Sequence, residues 1–79
     1  MEIKVLGTGC PKCKALEKKV VDTLAELGIT AAVLKVDDIM KIMEYGVMRT
    51  PSLVINGKVV LSGHVPDTNE IKNLIIQNQ

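Results

Sequence analysis

Seventy-nine residues, 47% of them apolar and only one of them aromatic (Tyr45), carry ten basic against nine acidic side chains for a formal charge of +1. A chain of this size and composition is expected to form a single domain over residues 1–79, with a small core built from Val, Ile, Leu and Met. Disorder is excluded by the apolar share, and nucleic acid or anionic lipid as partners by the lack of stacking platforms and of a directed field.

Glu2 to Leu6 reads as a short, mostly apolar strand. It gives way through Gly7-Thr8-Gly9 to Cys10-Pro11-Lys12-Cys13, which holds the only two cysteines. From Pro11 the pattern turns helical, with Cys13, Leu16, Val20, Leu24 and Leu27 recurring every three or four residues. Proline suits the first turn, where its missing N–H has no helical partner, and Gly28 supplies a stop. Ala31 to Val36 is the next strand. Asp37-Asp38 then offers an N-cap to a short helix that runs to about Tyr45 and closes at Gly46. Val47-Met48-Arg49-Thr50-Pro51 leads into a strand at Ser52 to Ile55, and Asn56-Gly57 turns the chain back into Lys58 to Leu61. Pro66-Asp67 opens a final helix, in which Asp67 and Glu70 have capping-box spacing and Ile71, Leu74 and Ile75 form the apolar face.

The order βαβαββα predicts an α/β fold: a four-stranded mixed sheet with helices on both faces. The first βαβ should be a right-handed parallel crossover, and the hairpin antiparallel. The first strand should be central and the strand from Lys58 an edge. The first residues do not read as a signal peptide and no stretch reaches spanning length, so a cytoplasmic setting is expected. In that setting Cys-x-x-Cys points to catalysis or metal binding rather than to a structural staple.

Two thiols at this spacing, where a helix begins, form a dithiol that can open and close a disulfide. Cys10 is expected at the helix N-terminus, where unpaired N–H groups and the helix dipole favour its thiolate, with Lys12 and Lys14 adding positive potential. Cys13, one turn in and on the apolar face, should be more buried and less acidic. That asymmetry makes Cys10 the nucleophile and Cys13 the resolving thiol. Lowering a thiol from about 8.5 to about 7 is worth roughly 2 kcal/mol and raises its thiolate fraction about 16-fold at neutral pH. Intrinsic nucleophilicity falls about 6-fold, so the net gain in attack is only about threefold. Most of the remaining rate must come from Cys13 lying within reach.

The strand leading into Cys10-Pro11-Lys12-Cys13, the βαβ, the segment Tyr45 to Pro51, the Asn56-Gly57 hairpin and the closing helix together resemble the thioredoxin-fold superfamily in its smallest, glutaredoxin-sized form. The likeness extends to the small archaeal and bacterial redox-active disulfide proteins and covers nearly the whole chain. It implies a thiol–disulfide oxidoreductase that reduces protein disulfides and takes electrons from a reductase of the thioredoxin-reductase type; a monomer is expected, with homodimer formation left open. No cofactor is implied beyond the Cys10–Cys13 disulfide, and no metal. Thr50-Pro51 is similar to the family's cis-proline loop, so substrate is expected along Thr50, Pro51, Pro11 and Lys12. Thioredoxins carry Trp before the first cysteine and Gly-Pro between the two; here Gly9 and Pro11-Lys12 stand there. The acid that serves thioredoxin as a proton shuttle has no counterpart, since Ile3 to Leu6 offers only Lys4.

Two other functions compete. A soft-metal module holding Cu(I) on two thiolates also places Cys-x-x-Cys after a first strand, but such domains run βαββαβ and usually carry Met where this chain has Thr8. A glutathione-dependent glutaredoxin, or a subunit dedicated to one enzyme, would keep the fold. Ser62-Gly63-His64-Val65-Pro66-Asp67 retains one of the glutaredoxin glycines and displaces the acid that holds glutathione. His64 reads as a solvated loop residue, Lys14, Lys18 and Lys19 as a wet helix side, and Met40 and Met43, on one helical face, as core filling.

Overall fold

The computed structural model describes residues 1–8 and 11–78. In chain order it contains β1 (Glu2–Leu6), α1 (Pro11–Leu27), β2 (Ala32–Val36), α2 (Ile39–Glu44), β3 (Ser52–Ile55), β4 (Lys58–Ser62) and α3 (Thr68–Gln77). The strands form one mixed sheet in the order β2-β1-β3-β4. β1 runs parallel to β2 and antiparallel to β3, and β4 is the outer partner of β3. The first strand is therefore interior and the strand at Lys58 an edge, as its polar start suggests.

Alternation along β1 and β3 divides the core between the two sheet faces. Ile3, Val5, Leu53 and Ile55 turn toward α1 and α3, where Leu16, Val20, Ile71 and Ile75 close over them, all of these almost fully buried. Leu6 and Val54 turn the other way, toward Ile42 of α2. Every residue of β3 is buried because both of its faces are covered.

The helix ends follow local chemistry. Gly28, at φ 69°, ends α1 with the paired bonds of a Schellman motif: Gly28 N–H donates to the Ala25 carbonyl at 3.2 Å and Ile29 N–H to that of Leu24 at 3.0 Å. Asp38 caps α2 by accepting from Met40 N–H, and Asp67 caps α3 by accepting from Glu70 N–H, each at 2.9 Å. The Glu70 carboxylate does not complete the capping box on Asp67 but stands 3.8 Å from His64 Nε2. At the hairpin, Asn56 (φ 51°) and Gly57 (φ 83°) both adopt left-handed backbone, as a type I′ turn requires. The register slips between Leu53 and Val54, leaving Val60 as the extra residue of a bulge on β4.

The methionines correct an expectation. Met40 and Met43 do not fill the core; they are 70% and 63% exposed, and Met48 is 98% exposed. A six-residue helix presents one inward row, and on α2 and its C-cap Ile42 and Tyr45 occupy it. Among the described residues no helix is long and apolar enough to cross a membrane.

Candidate active site at the exit of β1

Two strand ends meet at one pole of the sheet. Leu6, the last residue of β1, is paired with Ser52, the first of β3. Gly7 extends the β1–β2 ladder by donating its N–H to the Val36 carbonyl at 2.9 Å. The chain bearing the cysteines therefore leaves the sheet beside the residue that follows Pro51. Thr8 is exposed; Gly9 and Cys10, the expected nucleophile, lie outside the described residues.

α1 begins at Pro11, and its first turn carries no acidic side chain. Pro11, Lys12 and Lys14 are exposed, whereas Cys13 is only 2% exposed. Its neighbour across the gap is Gly7: a Cβ built there would overlap the Cys13 sulfur and stand 3.0 Å from the Cys13 Cβ. This intimacy between the second cysteine and a glycine of the preceding loop has no signature in the sequence.

The Thr50–Pro51 peptide is cis. Pro51 is buried and Thr50 exposed. Three contacts hold this corner. The buried Ser52 hydroxyl donates to the Arg49 carbonyl at 2.6 Å, Gly63 N–H donates to the Pro51 carbonyl at 2.9 Å, and the Arg49 side chain lies across Gly63. A Cβ on Gly63 would meet Arg49 Cδ at 3.0 Å, and its φ of 89° suits glycine in any case. Thr8 and Thr50 line one open groove of about 400 Å³, whose apolar wall includes Ile42, Met43, Val47 and Met48. The structure thus brings Pro11, Lys12 and Cys13 to the same pole of the sheet as Thr50 and Pro51.

Behind this corner, Lys4 joins β1 to the end of α2. Its Nζ donates to the Tyr45 hydroxyl at 2.9 Å and stands 3.4 Å from Glu2 Oε1. Alternation puts Lys4 on the same sheet face as Leu6, which is the one clue the sequence offers to this pairing. Tyr45 is thereby tied to the sheet just before the segment that leads to Thr50 and Pro51. The Tyr45 hydroxyl, and after it the Glu2 carboxylate, hold the Lys4 ammonium above the ordinary lysine value. A raised folded value means that Lys4 contributes stability fully below the unfolded lysine pKa of about 10.4, and that this contribution fades as pH rises through the folded value. Against Lys4→Met, the wild type is expected to lose relative stability in urea titrations as pH is taken from about 9 to about 11.5. A difference between the two that stays constant over that range would show that Lys4 carries no such coupling.

A family model described as thioredoxin domain matches residues 1–76. The chain is 36% identical over 75 residues to a thioredoxin of Methanothermobacter thermautotrophicus, covering 95% of this chain and 97% of that protein. It is 40% identical over 70 residues to a thioredoxin of Methanocaldococcus jannaschii, covering 89% and 80%. Among solved structures, the germline-specific thioredoxin Deadhead of Drosophila melanogaster superposes with a TM-score of 0.63 over 96% of this chain and 78% of that one; at 21% identity this is a likeness of fold. Fold and relatives together define a thiol–disulfide oxidoreductase of thioredoxin architecture. The chain belongs to the thioredoxin family, whose members exchange disulfides with their substrates and are returned to the dithiol by a reductase.

Proposed function

We propose that residues 1–79 act as one monomeric, cytoplasmic domain that reduces protein disulfides through Cys10 and Cys13, with no bound cofactor beyond that redox couple. The Cys10 thiolate attacks one sulfur of the substrate disulfide. The substrate S–S bond breaks, and the leaving sulfur carries away the electron pair and takes a proton. The Cys13 thiolate then attacks the Cys10 sulfur; the Cys10–Cys13 bond forms as the mixed disulfide breaks, and the second substrate sulfur leaves and is protonated. Two electrons have passed to the substrate, and a dithiol reductase of the thioredoxin-reductase type restores the pair.

The observation that carries this reading is the burial of Cys13 in the first turn of α1, at the sheet pole where Thr8 and Thr50 share a groove. With the two cysteines three positions apart in the sequence, proximity is assigned most of the rate of the resolving step. In this reading an extended substrate segment runs along Thr50 and Pro51, and the exposed Pro11 and Lys12 complete its contact surface. The Gly63 N–H is already engaged by the Pro51 carbonyl, and Arg49 covers the glycine. Lys12 at the third position of the motif and the loop from Gly63 to Asp67, which keeps one glycine and displaces the acid, favour a reductase over glutathione as the electron donor.

Insulin reduction with two donor systems tests the proposal. With NADPH and a thioredoxin reductase, sustained turnover is expected; with reduced glutathione and glutathione reductase, little above background. Turnover sustained only by glutathione would replace this reading with that of a glutaredoxin.

A further inference from the structure

We infer that Gly7 is a positioning residue for the resolving sulfur: its missing side chain is the space in which Cys13 Sγ is held. The inference rests on the reading of Cys13 as the resolving thiol. A methyl group at position 7 would coincide with the Cys13 sulfur and crowd its Cβ at 3.0 Å. Neither backbone can withdraw to make room. On one side Gly7 is pinned by its N–H to the Val36 carbonyl at 2.9 Å, and the fully buried Leu6 before it is paired with Val36 and Ser52. On the other side α1 is locked by Leu16 and Val20, both 0% exposed, which follow Cys13 on the inward row.

The group a Cβ at position 7 would displace is the Cys13 side chain. Any residue larger than glycine at position 7 therefore moves the sulfur, and with it the line along which Cys13 approaches Cys10. In the resolving step the Cys13 thiolate attacks Cys10 Sγ, the Cys10–Cys13 bond forms, and the other sulfur departs with the electron pair and a proton from water. Misplacing a reacting atom by about 1 Å costs on the order of 100-fold in such a step. The first step, attack by Cys10 on an external disulfide, does not involve the Cys13 sulfur. Gly7 is thus expected to act on release and not on capture.

Reaction of the reduced protein with 5,5′-dithiobis(2-nitrobenzoate) separates the two steps. The first equivalent of thionitrobenzoate reports formation of the mixed disulfide on Cys10, and the second its displacement by Cys13. In Gly7→Ala the first phase should stay within about twofold of wild type, and the second should slow by about 10- to 100-fold. Thermal stability lost in Gly7→Ala should be largely regained in the double variant Gly7→Ala/Cys13→Ala, where the colliding sulfur is gone; this arm still reads out if the single variant folds poorly. A second phase unchanged in folded Gly7→Ala, or no recovery in the double variant, overturns the inference alone. A second equivalent still released by Cys13→Ser overturns the resolving role of Cys13 and the inference with it.

Discussion

Cys10→Ser is expected to bring insulin-disulfide reduction down to the background of the chemical reductant, a loss of at least about 100-fold. A serine hydroxyl is not ionised at neutral pH and is a poor nucleophile toward sulfur, so no part of the first step survives. Cys13→Ser should fail differently. Its first step is intact, so it captures a substrate and cannot release it, and mass spectrometry should show one covalent adduct per chain. The contrast between the two variants is more informative than either loss of rate, since it assigns capture to one thiol and release to the other. Wild-type turnover in Cys10→Ser, or capture by Cys10→Ser but not by Cys13→Ser, would reverse or remove the proposed roles.

Ile3→Ala should be the most damaging of the simple truncations. Ile3 is fully buried in the interior strand, flanked by Val33 on one side and Ile55 on the other, in the cluster closed by α1 and α3. Removing three carbons from such a site loses their transfer energy and leaves a cavity that flanking strands cannot close, about 2–5 kcal/mol in all. At roughly 0.05–0.15 kcal/mol per residue, a chain of 79 residues has only about 4–12 kcal/mol to lose. Urea unfolding should therefore show a midpoint cut by about a sixth or more with an unchanged slope. Met48→Ala, at a side chain 98% exposed, should move it by no more than about 0.5 kcal/mol. A loss under about 1 kcal/mol in Ile3→Ala would mean that the core does not depend on its central strand.

Much of this architecture was legible because local rules and global packing agree. The inward row of α1, the caps at Asp38 and Asp67, and the stop at Gly28 each follow from chemistry within a few residues. The antiparallel pairing of β4 with β3 follows from a hairpin whose turn admits one geometry. What escaped the sequence depends on residues far apart in the chain. Met40 and Met43 have core spacing, yet α2 is too short to turn a second row inward. Lys4 and Tyr45 stand 41 positions apart, and Ser52 is a buried hydroxyl whose partner is a carbonyl of the cis-proline corner. At the site, the dithiol motif and Thr50-Pro51 were visible as residue types. The glycine that makes room for a sulfur was not, since a missing side chain announces nothing about what fills its place.

Asn56 bears on how the molecule can be handled. Its side-chain oxygen accepts from Glu2 N–H and its side-chain nitrogen donates to the Asn78 carbonyl, both at 3.0 Å. The entrance of β1, the hairpin tip and the last turn of α3 are thus fastened at a single knot. A five-residue strand, about 16 Å of extended chain, separates that knot from the opposite pole, where Cys13 is buried beside Gly7. An affinity tag, a surface tether or a fused domain joined next to Glu2 or Asn78 will therefore start at the pole away from Cys13 and the Thr50–Pro51 corner.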